Sequence, residues 1–422
     1  MDYLSVTINK LEAHQNVFLT GGAGVGKTTI TRQVIQHFEQ EAKKVAKLAS
    51  TGMAATLIGG QTLHSFFDLG IASDLQALEL GGKLEISKKI KKLIHSMELI
   101  VIDEISMVSD TLLEMIHLRL LQADFKGTLL VVGDFLQLPP VVRGVQEVRF
   151  AFESDAWSAF DFHTIELTHI YRTDDQEFIK LLHSVRFAQI DENIHNQLNS
   201  YIKVLPHDLS EFTFLFGKNE TASQHNKNQL SHIDGEEFVK EVQVVKHLKS
   251  VKELEVERFI NDSRMEKQLH LKIGAPVLFT RNAWNYFNGE RGVVVNVDES
   301  CVYVQKNDGK VVKLEPVEQS KKRWAQKKIE GVMQMVEESL FSVYQFPIKL
   351  AFAITIHKSQ GMSITDLIIE TNEIFAPSQF YVALSRSSNP SRLTLIAPRC
   401  QWHQLIYVNP KALEFVKMSS NC

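Results

Sequence analysis

Cysteine is scarce in this sequence, and its cysteines follow no recognisable pattern. Cys301, Cys400 and Cys422 are the three cysteines among 422 residues, and they are widely separated. This spacing provides neither the clustered ligands of a zinc site nor the framework of a disulfide-stapled domain. Unpaired thiols are typical of a reducing compartment. We therefore expect a cytoplasmic protein.

Long apolar runs and a targeting segment are also absent. No stretch approaches the roughly 20 apolar residues that a membrane-spanning helix needs. The first residues, Met-Asp-Tyr-Leu-Ser, lack the basic segment and the following apolar segment of a signal peptide. The sequence therefore predicts no membrane partner.

An excess of positive charge is missing too. The 46 Lys and Arg residues are outnumbered by 50 Asp and Glu residues, which gives a formal net charge of −4. Binding to nucleic acid would therefore depend on local patches. Residues 321–328 are one such patch, with five cations around Trp324. This patch either follows a phosphate backbone while stacking a base or is a solvated strand or loop.

The most informative segment is rich in glycine. Residues 21–28 read Gly-Gly-Ala-Gly-Val-Gly-Lys-Thr, which is the phosphate-loop pattern. Residues 16–20 predict a buried strand before the loop, and residues 28–41 predict a helix after it. This order directs backbone N–H groups and a helix N-terminus at a polyphosphate. We expect the nucleotide to be bound by Gly22, Ala23, Gly24, Val25, Gly26, Lys27, Thr28 and Thr29.

Polar groups with matching chemistry follow two further predicted strands. Asp103 and Glu104 end the apolar run 99–102, and Gln137 follows the apolar run 128–132. Asp103 and the Thr28 hydroxyl would hold Mg²⁺, while Glu104 would polarise the attacking water. A helix-capping role is the alternative for the two carboxylates. Gln137 is placed to sense the γ-phosphate.

Other segments allow two interpretations. Residues 64–67, His-Ser-Phe-Phe, are either core packing or a stacking platform for bases. Residues 66–92 predict a small helical insertion. Residues 164–167 predict a strand that opens a second lobe, and Arg172 after it is either an arginine finger or a surface ion pair. Turn signals between residues 274 and 314 predict a small inserted β-barrel.

Several strings, taken in order, resemble successive helicase motifs. They are residues 22–28, 50–67, 102–108 and 133–141, followed by His357-Lys-Ser-Gln-Gly361 and Tyr381-Val-Ala-Leu-Ser-Arg386. The chain resembles superfamily 1 group B helicases, most closely the PIF-type (petite integration frequency) branch, which is related to the RecD and Dda helicases.

The resemblance implies an α/β fold with two RecA-like P-loop lobes. A small helical insertion lies in the first lobe, and an SH3-like β-barrel is inserted in the second. We expect lobe 1 at residues 1–158, lobe 2 at residues 159–240 and 345–422, and the inserted domain at residues 241–344.

The resemblance also implies roles for individual residues. The implied catalytic residues are Lys27, Asp103, Glu104, Gln137, Arg172 and Arg386, and Gly361 would contact the nucleotide. The implied DNA-binding residues are Thr51, Gly52, His64, Ser65, Phe66, Asn282, Asn288, His357, Lys358 and Ser359.

The implied activity is that of an ATP-dependent DNA helicase. It would use ATP and Mg²⁺, move 5′ to 3′ on single-stranded DNA and open forks as a monomer. RNA–DNA hybrids and G-quadruplexes are further implied substrates, and replication, repair and recombination the implied processes. Two alternatives stay open: an RNA-directed helicase of the same superfamily, and a nucleotide-controlled DNA-binding switch that does not unwind.

Overall fold

In the computed structural model the chain divides into two units, each built from separate segments of the sequence. The first comprises Met1–Tyr171, Lys321–Leu340 and Pro410–Cys422, and the second comprises Arg172–Ser320 and Phe341–Asn409. The structure describes residues 2–50, 55, 58–70, 72–140, 147–205, 209, 211–263, 265–329 and 332–419, without the side chains of residues 262 and 326–335. Within these ranges, none of the helices combines the length and apolar character that crossing a membrane requires.

A six-stranded parallel sheet organises the first unit. Its strands are β1 Val17–Gly21, β2 Val45–Ala49, β3 Gln61–Thr62, β4 Leu99–Asp103, β5 Thr128–Val132 and β6 His163–Leu167. They lie in the order β3-β2-β4-β5-β1-β6, and every pair is parallel. The central strands are apolar along their length because both faces of the sheet are covered. All carboxyl ends therefore meet at one edge.

Helices of the first unit precede or connect these strands. They are α1 Tyr3–Glu12, α2 Lys27–Gln40, α3 Leu63–Phe66, α4 Leu75–Leu80, α5 Lys88–His95, α6 Asp110–Gln122 and α7 Asp155–Phe160. Val34 and Phe38 of α2 are spaced to lie on one face, and they pack against Leu19 and Leu130 of the sheet. This packing fixes the start of α2 beside the end of β1.

One strand lies in a different unit from the one we expected. Residues 164–167 were predicted to open the second lobe, but β6 pairs with β1 from Val17↔His163 to Gly21↔Leu167. Ile165 and Leu167 are buried in the same core as α1 and α2, which holds β6 at the edge of the first sheet. The first unit therefore extends beyond residue 158, to Tyr171.

A buried arginine fastens the small helical insertion to α6. Arg119 is 1% exposed, and its guanidinium donates to the carbonyl oxygens of Phe67 at 3.1 Å and Leu84 at 2.8 Å, as well as to that of Lys83. These bonds satisfy backbone carbonyl groups directly after α3 and between α4 and α5. Charge-assisted bonds of this kind hold irregular backbone in place.

Strands of the second half form one parallel and several antiparallel sheets. They are β7 Thr213–Phe216, β8 Phe238–Glu241, β9 Gln243–Lys246, β10 Gln268–Leu271, β11 Pro276–Phe279, β12 Arg291–Val297, β13 Val302–Lys306, β14 Val311–Leu314, β15 Val317–Ile329, β16 Val332–Gln345, β17 Ile348–Leu350, β18 Ala353–Thr355, β19 Leu367–Ile369 and β20 Leu393–Leu395. The parallel sheet has the order β18-β7-β19-β20. An antiparallel sheet of order β14-β13-β12-β11-β17 contains the predicted turn-rich region.

Helices of the second half cover the parallel sheet or lie between the antiparallel strands. They are α8 Gln176–Arg186, α9 Glu192–Ser200, α10 Asn219–Ser231, α11 Glu253–Asp262, α12 Gln379–Leu384 and α13 Trp402–Leu405, and the chain continues to α14, Pro410–Ser419. Asn226 of α10 joins helix to sheet, because its side chain exchanges hydrogen bonds with the backbone of Ala353 at 2.8 Å.

The C-terminal helix α14 completes an aromatic cluster in the first unit, although we expected residues 345–422 in the second lobe. Phe415 stacks on Phe152 with ring centroids 4.3 Å apart, and it also contacts Phe18, Phe135 and Trp157. Aromatic pairs of this kind stabilise beyond the area they bury. The cluster explains why α14 belongs to the first unit.

We predict that Phe415→Ala destabilises the first unit by about 3 kcal/mol, because a ring inside an aromatic cluster is replaced by a cavity. Denaturant unfolding measures the change. Met418→Ala on the same helix is the matched control, since Met418 is 62% exposed and its loss is expected to cost less than about 0.5 kcal/mol. Equal effects of the two substitutions would contradict this packing.

Candidate nucleotide and DNA sites

The glycine-rich segment is a loop between β1 and α2. Gly24 and Gly26 adopt positive φ angles of 80° and 88°, and Gly26 is the residue before α2. A Cβ atom on Gly21 would lie 2.3 Å from the Leu167 carbonyl oxygen, so this position also requires glycine. The Lys27 ammonium donates to the Gly21 and Gly22 carbonyl oxygens at 2.7 and 2.8 Å. It therefore lies within the curl of the loop, where a polyphosphate would be bound.

Side chains of the loop divide between core and surface. Ala23 and Val25 are buried, and Val25 belongs to the core formed by α2 and β1. Thr28 and Thr29 are exposed in the first turn of α2. Ala23 and Val25 can therefore meet an anion only through their backbone, whereas the two threonines also offer hydroxyl groups.

Asp103 and Glu104 lie at the same edge, at the end of β4. Glu104 has a left-handed backbone, φ 54° and ψ 48°, and its N–H donates to Asp103 Oδ1 at 2.9 Å. Burial and the neighbouring Glu104 carboxylate raise the pKa of Asp103 to about 7, while Lys27 and Arg32 partly oppose this shift. A divalent cation would favour the ionised form of both groups. The donor set therefore fits a metal site of the Mg²⁺ type.

Gln137 is held just beyond the end of β5. Its Nε2 donates to Asp134 Oδ2 at 3.2 Å, and Asp134 Oδ1 accepts from the Leu136 N–H at 3.1 Å. The N–H of Gly133 donates to the Leu19 carbonyl oxygen at 3.1 Å, which fixes this turn beside β1. Asp134 thus orients Gln137, a role that the sequence analysis missed although Asp134 lies in the motif it quoted.

Tyr171 is a second residue that sequence reasoning missed. Its N–H donates to the Gly24 carbonyl oxygen at 2.9 Å, and its ring lies 3.7 Å from the position of a Cβ on Gly26. The side chain is 72% exposed and meets His169 edge-on at 4.4 Å. The ring therefore flanks the phosphate loop. The sequence signal for Tyr171 was its position next to Arg172, but only the Arg172 guanidinium was considered as a site group.

The His-Ser-Phe-Phe segment forms α3, directly after β3. Phe66 is 1% exposed and packs edge-on against Phe67 at 4.9 Å. The expectation that Phe66 stacks a base is therefore wrong, and core packing is the correct alternative. Ser65 is exposed, and burial lowers the pKa of His64, which favours the neutral imidazole. Thr51 and Gly52, two further predicted DNA contacts, lie outside the described residues.

In the second unit Arg172 and Arg386 meet around Ser385. Arg172 donates to Ser363 Oγ at 3.0 Å and to the Ser385 carbonyl oxygen at 2.5 Å. Arg386 donates to Ser385 Oγ at 2.7 Å and to the Ser359 carbonyl oxygen at 3.2 Å. Burial lowers the pKa of Arg172 to about 10, so it remains cationic at neutral pH. Arg172 donates to a hydroxyl and to a carbonyl group, whereas an arginine in a surface ion pair donates to a carboxylate.

The His357–Ser359 turn follows β18 and leads to Gly361, which has a φ of 75°. Lys358 is exposed, and burial lowers the pKa of the partly buried His357. Ser359 is fully buried, and its hydroxyl donates to the Ile356 carbonyl oxygen at 2.7 Å. The expectation of a DNA contact from the Ser359 side chain is therefore wrong, because that hydroxyl closes the turn internally.

Asn282 and Asn288 lie in the loop between β11 and β12. The Asn282 side-chain oxygen accepts from the Asn288 N–H at 2.7 Å. This bond spans the loop and sets its shape. The two predicted DNA contacts are therefore brought together, with the Asn282 carboxamide oxygen engaged inside the loop.

The fold and the site together define a P-loop nucleotide hydrolase. A phosphate loop, two carboxylates and a glutamine lie at one edge of a parallel sheet, and a second unit with a parallel sheet follows along the chain. The PIF1-like helicase family matches residues 4–196. The ATP-dependent DNA helicase Pif1 of Campylobacter jejuni is 38% identical over 440 residues, covering 97% of this chain and 96% of that protein.

Solved structures agree with the sequence relatives. Bacteroides Pif1 in complex with ADP-AlF4 matches with a TM-score of 0.84 at 26% identity, covering 100% of this chain and 97% of that one. Bacteroides Pif1 with ADP-AlF3 and single-stranded DNA matches with a TM-score of 0.65 at 27% identity and the same coverage. The chain belongs to the Pif1 family and is an ATP-hydrolysing DNA helicase. The predicted family, enzyme class and main function are confirmed.

Proposed function

We propose that this protein moves 5′ to 3′ along single-stranded DNA and opens forked duplexes, using the hydrolysis of Mg²⁺-bound ATP. The observation that carries the proposal is the convergence of Lys27, Asp103 and Glu104 at the carboxyl edge of the first sheet. The Bacteroides relative binds ADP-AlF4, and it also binds ADP-AlF3 together with single-stranded DNA, which supports both ligands. The direction of movement rests on family resemblance.

The phosphate loop binds and orients the nucleotide. Backbone N–H groups of residues 22–28 would donate to the phosphates, and the Lys27 ammonium would exchange the Gly21 and Gly22 carbonyl oxygens for phosphate oxygens. The exposed ring of Tyr171 covers the loop on one side. A cation held by the Thr28 hydroxyl and the Asp103 carboxylate would neutralise phosphate charge.

Glu104 is the proposed general base. It accepts a proton from the water that attacks the γ-phosphorus, while the bond from that phosphorus to the bridging oxygen breaks and ADP leaves. The left-handed backbone at Glu104 is a strained conformation that the end of β4 holds in place. Gln137, oriented by Asp134, senses the γ-phosphate.

Arg172 and Arg386 are the proposed stabilisers of charge on the transferring phosphoryl group. Both guanidinium groups already donate to Ser385 of their own unit. Each would therefore lose less conformational freedom when it binds a phosphate. Gly361, at the end of the adjacent turn, is the proposed nucleotide contact of this unit.

As DNA contacts we propose those of the predicted residues that are exposed or partly exposed. They are His64, Ser65, Asn282, Asn288, His357 and Lys358. We also propose that the sheet β14-β13-β12-β11-β17 is the SH3-like insertion, because β11 to β14 form an antiparallel meander whose buried residues mostly belong to one apolar cluster. Residues 1–171 then form the main part of lobe 1, and the protein acts as a monomer.

The test is the rate of ATP hydrolysis with and without nucleic acid. We expect oligo(dT) to stimulate turnover strongly and oligo(U) of equal length to stimulate it less. Equal stimulation by both would favour the RNA-directed alternative, since recognition of the 2′-hydroxyl separates the two. Turnover that no single strand changes would favour a nucleotide-controlled switch.

A further inference from the structure

The loop between β11 and β12 exposes two aromatic side chains for which the proposed function gives no role. Trp284 is 96% exposed and Phe287 is 54% exposed. A tryptophan ring offers a large apolar surface, which normally becomes buried in a core or against a partner. Such rings held in solvent point to a binding partner with flat apolar faces.

The loop holds these rings outward on an ordered backbone. The Ala283 N–H donates to the Tyr286 carbonyl oxygen at 2.8 Å, and Asn288 is bonded to Asn282 as described above. Tyr286 itself is buried and stacks on Phe279, with ring centroids 4.3 Å apart. Because the loop is anchored on both sides of Trp284, a ligand that stacks there meets a preorganised surface.

The loop lies directly beside the proposed strand-binding turn. A Cβ atom on Gly289 would approach the Ser363 carbonyl oxygen to 2.7 Å and the Ser363 nitrogen to 2.9 Å, so the loop packs closely on residues 362–363. Those residues immediately follow the turn that carries His357 and Lys358. The loop that carries the rings therefore contacts, through Gly289, the segment that follows this turn, in which Lys358 is exposed.

Local charge also suits a polyanion. Glu290 is the acidic residue of this loop, and its carboxylate is engaged by Lys306 at 3.1 Å and by the Phe287 N–H at 3.1 Å. Arg281 is exposed at the start of the loop. A phosphate backbone approaching the rings would therefore meet Arg281 and a neutralised carboxylate.

We infer that Trp284, together with Phe287, is a stacking platform for unpaired bases of the DNA strand. The inference rests on the proposed function, since it assigns a further contact for the strand along which the protein moves. Stacking on an indole is tolerant of base identity because every base has an aromatic face. The platform would therefore hold the strand without reading its sequence.

The experiment is equilibrium binding of fluorescently labelled oligo(dT) of about 16 nucleotides, a length within the range of single-strand binding sites. Trp284→Ala is expected to weaken binding roughly 10- to 100-fold, and Trp284→Phe is expected to restore most of it. A strand of the same length made of abasic sites is expected to bind wild type and Trp284→Ala equally. Leu254→Ala, an exposed apolar residue on α11, is the control without effect.

The outcomes separate the inference from the proposed function. Equal binding of oligo(dT) by wild type and by the Trp284→Ala/Phe287→Ala double variant would overturn the platform. If the wild-type protein binds no single-stranded DNA, the proposed function itself is refuted. Basal ATP hydrolysis and the thermal midpoint show whether each variant is folded. If Trp284→Ala is not folded, Trp284→Phe tests the inference.

Discussion

Arg172→Gln is expected to lower the turnover of ATP hydrolysis at least about 10³-fold, the scale of loss when an arginine that stabilises a transferring phosphoryl group is removed. Glutamine retains a hydrogen-bond donor for Ser385 but carries no charge, so the variant tests charge more than packing. Steady-state hydrolysis with saturating oligo(dT) measures the effect. The thermal midpoint of the variant establishes that it is folded.

Arg399→Gln is the matched control for this prediction. Arg399 lies in the same unit and is exposed, so its loss is expected to change turnover less than about twofold. If Arg172→Gln were as active as Arg399→Gln, the guanidinium of Arg172 would have a structural role only, through Ser363 and Ser385.

Glu104→Gln is expected to lower turnover by about 10²- to 10⁴-fold, because the side chain keeps its size and loses the carboxylate that accepts a proton from water. Nucleotide affinity is expected to change little, since the phosphates are held by the loop and Lys27. Single-turnover hydrolysis and binding of a fluorescent ATP analogue measure the two quantities separately.

Glu98→Gln is the control at the opposite end of the same strand. Glu98 precedes β4 and is exposed, whereas Glu104 follows β4 at the carboxyl edge. Normal turnover in Glu104→Gln would exclude this residue as the base. A loss of nucleotide binding in Glu104→Gln would instead show that its main effect is on the shape of the site.

Much of the nucleotide site follows from local sequence. The glycines of the phosphate loop, Lys27 and the Asp103–Glu104 pair each sit directly after a strand or before a helix, so their position is set by neighbours in the chain. Parallel strands then bring them to one edge without further information. For this reason the position of these residues at one edge of the sheet follows from short motifs.

The errors arise where burial is decided by distant residues. Phe66 lies in the same motif as the exposed Ser65, and Ser359 lies in the same motif as the exposed Lys358. Phe66 and Ser359 are nevertheless buried. Which side of a short turn faces the core depends on packing partners that a motif does not contain. The same applies to β6, because an alternating strand pattern says nothing about which sheet the strand joins.

Residues that act through other residues were not predictable from the motifs. Asp134 orients Gln137, and Arg119 holds the insertion through carbonyl oxygens of residues 67, 83 and 84. Trp284 lies in a loop recognised from its turn residues, and its exposure becomes evident only once Tyr286 is seen to take the core position. A sequence shows aromatic residues in a loop without showing which of them faces solvent.

The central claim is tested most directly by ATP-dependent unwinding of matched duplexes that carry either a 5′ or a 3′ single-stranded tail. We expect wild type to open the 5′-tailed duplex only, and Lys27→Ala to open neither. Opening of the 3′-tailed duplex alone would contradict the direction of movement. Failure to open either duplex, with hydrolysis still stimulated by single strands, would contradict unwinding itself.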